Sequence, residues 1–255
     1  MSALAGGDAR TLEERALNAW PALRQSLFDG WILRFSEGYT KRANCVVPFY
    51  PGVGGAGDKI ARCERTYAQH QLPPIFKILP FCEPRALDDA LASRGYVRED
   101  ETLVQSVALP VSTVETPVSE RPTVIHGEAP RSYLEAYARL NGISAIQLPR
   151  VSAILAQSAG EVGYAAVMEG GQVVACGLGI VEGDHLGLYG VATDTAHRRR
   201  GLGAGLVKDL MVWASQRRAR QAYLQVRVSN HAARSLYRKL GFTPAYRYWY
   251  RVSAM

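Results

Sequence analysis

Thr193-Asp-Thr-Ala-His-Arg-Arg-Arg-Gly-Leu-Gly-Ala-Gly-Leu-Val207 is the stretch whose reading decides the fold. It follows an apolar run, Leu186 to Val191, that reads as a buried strand. It leads into apolar positions at Leu206, Val207, Leu210, Met211 and Ala214, the spacing of one helical face. Between strand and helix stand three arginines and three glycines. Glycines at 201, 203 and 205 let backbone approach a ligand with no Cβ in the way. The first amides of a helix have no partner inside it, and the helix dipole puts positive charge there. The stretch is therefore read as an anion site suited to phosphate, with Arg198, Arg199 and Arg200 adding charge.

Two common phosphate loops do not fit. A P-loop ends in Gly-Lys-Ser/Thr, and no such dipeptide follows these glycines. A dinucleotide fold wants Gly-x-Gly-x-x-Gly early in a βαβ unit, whereas this loop sits late and its last two glycines are too close together. The pattern Arg198-x-x-Gly201-x-Gly203 instead resembles the acetyl-CoA signature of the GNAT superfamily of N-acetyltransferases. Downstream, Ala222, Leu224, Val226 and Val228 alternate as a strand. Then Asn230-x-x-Ala233-x-x-Leu236-Tyr237-x-x-x-Gly241-Phe242 resembles the second GNAT motif, with Asn230 suited to a helix N-cap and Gly241 to its C′ position. The spacings from Arg198, 32 residues to Asn230 and 39 to Tyr237, match the family together.

The resemblance implies an α+β (mixed α/β) fold, with tandem GNAT-like units each built on a twisted, mainly antiparallel mixed sheet flanked by helices. It implies an acetyl-CoA-dependent N-acetyltransferase acting on a primary amine. Val191, Ala192 and Thr193 would offer backbone groups to the pantetheine arm, by the strand-edge pairing that extended ligands use. Amides of Arg199, Arg200, Gly201, Leu202, Gly203 and Ala204 would hold the pyrophosphate, Asn230 the cofactor arm, and a backbone amide near Val191 the oxyanion. Tyr237 would be the general acid for the coenzyme A sulfur, since a phenol with a pKa of about 10 keeps its proton at neutral pH.

The base is less clear. Relatives with a Glu in a Leu-Glu-Val-Arg run find their counterpart in Gln225 here, and those with a Glu 11 residues before the motif Arg find Gly187. His185, on the same strand face as Gly187 and Tyr189, is the leading candidate left, followed by Glu182 and Asp184. A water chain would serve instead. A surface role is the commoner fate of a turn-proximal His.

Earlier segments show a repeat. Residues 10–28 read as a helix with Pro21 marking a break, Trp31–Phe35 as a strand, Ser36–Tyr39 as a turn and Ala43–Tyr50 as a strand. Glycine-rich residues 51–57 then meet a helix that Asp58 would cap, followed by a strand at 74–79, a helix at 84–92 and a strand at 102–109. A shift of 146 residues lays Gly55-Ala-Gly57 on Gly201-Leu-Gly203 and Gly95-Tyr96 on Gly241-Phe242, which argues for an internal duplication. Gly52, Pro84 and Leu91 stand where the second copy has Arg198, Asn230 and Tyr237. The expected organisation is a degenerate GNAT-like unit at 1–109, a proline-rich linker at 110–123 and a catalytic unit at 124–255. Its first half resembles that of two-part bacterial GNAT proteins. Covering the cleft, homodimerisation and packing support are the roles open to it.

Composition is that of a globular protein: 255 residues, 47% hydrophobic and 21% charged, with net charge +7. The anion loop accounts for part of the charge, and the missing aromatic-basic constellation argues against a nucleic-acid partner. Four scattered cysteines without Cys-x-x-Cys read as reduced cytoplasmic thiols, and neither they nor five histidines show metal-ligand spacing. No apolar run is long enough to span a membrane. The acceptor, a small-molecule or peptide amine, is not legible. A non-catalytic acyl-CoA-binding module is the alternative from another class.

Overall fold

The computed structural model describes residues 6–109 and 122–253, so the expected linker lies almost wholly outside the described residues. The described chain divides into two compact units. One takes in residues up to 103 with 227–229 and 245 onward, and the other residues 104–226 and 230–244.

The first unit opens with α1, Gly6–Ala19, which buries Leu12, Glu13, Ala16 and Ala19 along one face. The helix stops before Pro21, as the restricted residue ahead of a proline requires. The helix expected over 10–28 is too long. Arg24–Phe28 is a strand, β1, in a hairpin with β2, Trp31–Phe35, and Phe28 lies opposite Trp31. The two residues between them, Asp29 (φ 43°) and Gly30 (φ 81°), both adopt left-handed backbone. Such a pair makes the tight turn whose twist matches that of the strands, and Asp-Gly is a favoured sequence for it.

A 3-10 turn at Lys41–Ala43 shortens the expected second strand to β3, Val46–Pro48. Helix α2 spans Ala56–Gln69 with Gly55 as its N-cap, so Asp58 lies in the first turn and not at the cap. Its charge still complements the dipole there. Then come β4 (Ile75–Ile78), α3 (Leu87–Ser93) and β5 (Tyr96–Ala108). Strands β1, β2 and β3 are antiparallel and β3–β4 parallel. Trp31, Leu33, Ile60, Tyr67, Phe76 and Leu91 form the centre of its core.

The second unit holds β6 (Thr123–His126), α4 (Arg131–Asn141), α5 (Leu148–Leu155), β7 (Glu161–Glu169), β8 (Gln172–Glu182), β9 (His185–Thr193), α6 (Leu202–Ser215), β10 (Gln221–Arg227) and α7 (His231–Lys239). Gly170 and Gly171, both at positive φ, turn β7 into β8. Strands β6 to β9 form an antiparallel meander, and β10 joins β9 in parallel. Both units thus carry mixed, mainly antiparallel sheets, as expected.

The offset of 146 holds in the structure. Helices α2 and α6 begin and end 146 residues apart, and β4 and β10 begin 146 apart. The final strand, β11 (Thr243–Ser253), shows where the copies part company. From residue 245 it belongs to the first unit and pairs antiparallel with β4, with Trp249 opposite Ile78. Residues 104–108 of β5 belong to the second unit, where the Leu109 amide donates to the Arg220 carbonyl at 2.7 Å. Part of each copy's last strand, residues 104–108 of β5 and 245–253 of β11, is therefore grouped with the other unit, and the grouping cuts across the 1–109 and 124–255 division. Tyr246, Tyr248 and Tyr250 are the buried face of β11, as its alternation predicts.

Candidate active site

The site is built around an irregularity in β9. Leu178 pairs with Tyr189 and Cys176 with Ala192, so Gly190 and Val191 together oppose Gly177. This two-against-one count is a β-bulge, which redirects the backbone that follows it. Gly190 sits at φ +55°, a region few side chains tolerate.

Helix α4 holds the bulge through Tyr133, Tyr137 and Asn141, each four residues from the next and hence on one face. Tyr133 donates to the Gly177 carbonyl at 2.8 Å, and Asn141 Nδ2 to the Gly190 carbonyl at 3.2 Å. A Cβ placed on Gly190 would lie 2.3 Å from the Tyr137 oxygen. None of these three side chains was singled out from the sequence. The signal available was a helical Tyr-x-x-x-Tyr-x-x-x-Asn, which reads equally well as core. Gly190→Ala should combine backbone strain with that clash and cost about 2 kcal/mol of stability. Urea unfolding checks it, and a loss below about 0.5 kcal/mol would mean that the bulge is not so constrained.

Beyond the bulge the sheet opens. The parallel register of β9 with β10 runs from His185 opposite Gln221 to Leu188 opposite Leu224, and ends there. Tyr189 to Thr193, including the predicted Val191, Ala192 and Thr193, keep β8 on one side only among the described pairings. A strand edge of this kind suits an extended ligand that carries amides.

Past Thr193, the Asp194 carboxylate accepts from the Ala196 amide at 3.0 Å and from Arg139 at 2.8 Å. The Ala196 amide first, then His197 and Arg139, hold its pKa below the usual carboxylate range. Arg198 Nε donates to the Thr193 carbonyl at 3.3 Å. Arg199 is exposed at φ +65°. Arg200 places two nitrogens on Glu169 at 3.1 and 3.3 Å, so part of its charge is already engaged. Gly201, at φ +77°, is the N-cap of α6, and the first helical bond runs from the Gly205 amide to its carbonyl at 2.9 Å. The amides of Leu202, Gly203 and Ala204 precede that bond and have no acceptor within the helix.

One measurement brings the expected pieces together. A Cβ built on Gly203 would stand 3.4 Å from Thr193 Oγ1 and 3.5 Å from Leu236 Cδ1. The end of β9, the glycine loop and α7 therefore meet within a side chain's width. Asn230 caps α7, its Oδ1 accepting from the Ala233 amide at 3.1 Å, which leaves Nδ2 as the donor that could face a ligand. Gly241, at φ +88°, closes the helix, and the Phe242 amide returns to the Tyr237 carbonyl at 3.0 Å. Tyr237 is 8% exposed and meets Phe242 edge-on, with ring centroids 5.8 Å apart. Burial pushes its phenol up to about 12.

His185 is placed differently. It is buried at the start of β9, with Nδ1 2.7 Å from the Asp184 carboxylate. Five residues of strand separate it from Gly190, roughly 16 Å at the usual rise. The structure does not bring it to the bulge. Above Gly187 stand two phenols, Tyr189 of the same strand face and Tyr223 of β10, with their oxygens 3.0 Å apart. A Cβ at Gly187 would be 2.7 Å from each ring system, so no acidic side chain fits there without moving them.

A family model described as "Probable histone acetyltransferase Rv0428c C-terminal" matches residues 6–251. The chain belongs to this acetyltransferase family. It is 30% identical over 246 residues to the "Uncharacterized N-acetyltransferase YobR" of Bacillus subtilis, covering 96% of this chain and 98% of that protein. Among solved structures, a GCN5-related N-acetyltransferase from Kribbella flavida superposes with a TM-score of 0.74 at 18% identity, over 98% of this chain and 97% of that one. A tandem GNAT protein from the clavulanic acid biosynthesis pathway gives 0.60 at 15% identity, over 78% and 70%. These two show the GNAT fold, the second in its tandem form. This member of the acetyltransferase family is thus an N-acetyltransferase, and the expected GNAT resemblance holds. No helix among the described residues is long and apolar enough to cross a membrane.

Proposed function

We propose that the protein transfers an acetyl group from acetyl-CoA to a primary amine, with the chemistry in the second unit and Tyr237 as general acid. What supports this is the meeting of Thr193, Gly203 and Leu236 beside a strand edge that has left its neighbour. Acetyl-CoA supplies an activated acyl group. The residues present suit it: the edge from Val191 to Thr193 pairs with the amides of the pantetheine arm, and the amides from Arg199 to Ala204 receive the diphosphate, with Arg198 to Arg200 beside them. Asn230 Nδ2 positions the arm. The amide at Val191, turned by the bulge, donates to the carbonyl oxygen of the acyl group. Tyr237 gives its proton to the departing sulfur.

We do not assign the base to His185, because the strand carries it away from the bulge and Asp184 engages its ring. The amine arrives neutral, attacks the thioester carbonyl and then loses its proton to water. The acceptor is a primary amine, of a small molecule or of a peptide.

Calorimetry with acetyl-CoA tests the first claim. Heat of binding is expected, and none up to about 1 mM, where a ligand held by only about 4 kcal/mol would half-saturate, would sink it. Release of free thiol on adding an amine panel tests transfer.

A further inference from the structure

The first unit keeps the loop that precedes α2, Pro51-Gly-Val-Gly-Gly-Ala-Gly57, at the same 146-residue offset from the glycine loop of the second. Val53 and Gly54 stand where Arg199 and Arg200 stand. In the first unit these two amides already have an acceptor. Asp29 Oδ1 accepts from the Val53 amide at 2.8 Å, and Oδ2 from the Gly54 amide at 2.9 Å. The Lys59 ammonium, on a side chain 2% exposed, lies 3.0 Å from Oδ2 and also donates to the Asp29 carbonyl. Lys59 rests over the Trp31 ring, 4.3 Å from its centroid. One carboxylate is thus gripped by two successive backbone amides and a buried cation, the constellation that elsewhere receives a phosphate.

We propose that Asp29 is a built-in anion that occupies the phosphate loop of the first copy and closes it to cofactor. The tight turn at Asp29-Gly30 delivers the carboxylate, and the ammonium fixes it from behind. A Cβ at Gly52 would lie 2.2 Å from the Asp29 carbonyl oxygen and 2.6 Å from its carboxyl carbon, so the loop is moulded on the side chain. The chain therefore offers one nucleotide site where its duplication would suggest two.

The test uses the 15N-labelled full chain titrated with inorganic pyrophosphate, followed at the Val53 and Gly54 amide resonances. In the wild type neither resonance should move. In Asp29→Gly, which suits the left-handed backbone at this position, both should shift saturably. Asp29→Asn keeps the turn while removing the charge, and should show the same shifts at higher pyrophosphate. Movement of both resonances in the wild type overturns the proposal. So does their immobility in both folded variants, which would make Asp29 a turn cap and the loop no anion site. The readout lies wholly in the first unit and needs no turnover, so its failure leaves the reading of the second unit untouched.

Discussion

Tyr237→Phe should lower turnover about a hundredfold or more while leaving acetyl-CoA affinity and the melting temperature nearly unchanged. The substitution removes one oxygen from a ring that is packed against Phe242, and leaves the ring. Nothing in the capping of α7 depends on that oxygen, since Asn230 closes one end and Gly241 the other. The effect therefore falls on the proton delivered to sulfur. A phenol whose pKa is pushed up to about 12 holds its proton across the working range of an enzyme, so Tyr237 itself should impose no alkaline decline until pH nears that value. The sign is fixed by burial, which disfavours the phenolate. Steady-state rates and a pH profile of wild type and variant decide the point. Equal turnover would remove Tyr237 from the mechanism, while a rise in KM alone would recast it as a binding group.

Glu13→Ala should destabilise the protein by about 3 to 5 kcal/mol. Glu13 is fully buried in α1 and pairs with Lys77 of β4, itself 1% exposed. Its other oxygen accepts from Tyr246 of β11 at 2.6 Å. The Lys77 ammonium also stands 3.9 Å from the centroid of the Tyr248 ring. Removing the carboxylate leaves the buried Lys77 cation without its counter-charge, and an unpaired buried charge costs far more than the pair contributes. The double substitution Glu13→Leu with Lys77→Met should recover most of the loss, because an apolar pair needs no partner. Urea unfolding of the three chains gives the comparison. A single variant within about 1 kcal/mol of wild type would show that water reaches the pair.

What the sequence made legible was chemistry carried by neighbours in the chain. The glycine loop, the Asn230 cap and the Gly241 stop are local devices, and each sits where its residues demand. The Asp29-Gly30 turn was as local, but the apolar spacing from Leu12 to Leu23 carried the expected helix over β1 and up to the edge of that turn. The Tyr133, Tyr137 and Asn141 clamp was out of reach, because its meaning lies in a bulge about fifty residues on. So was the pairing of the two last strands. Strands β5 and β11 present their backbone to either neighbour equally well, and alternation specifies a face without specifying a partner. His185 was weighed on its strand face and its pKa, and neither carries the distance along β9 that separates it from the bulge.

The reciprocal placement of β5 and β11 bears on descent. A single-copy forebear that traded its closing strand with a twin would have existed only as a couple. Tandem joining of two such genes preserves the trade inside one molecule. It also frees one partner from selection for turnover, since that partner is retained for the strand it lends. A half kept for the strand it lends, whatever its own turnover, is what such a history would leave behind.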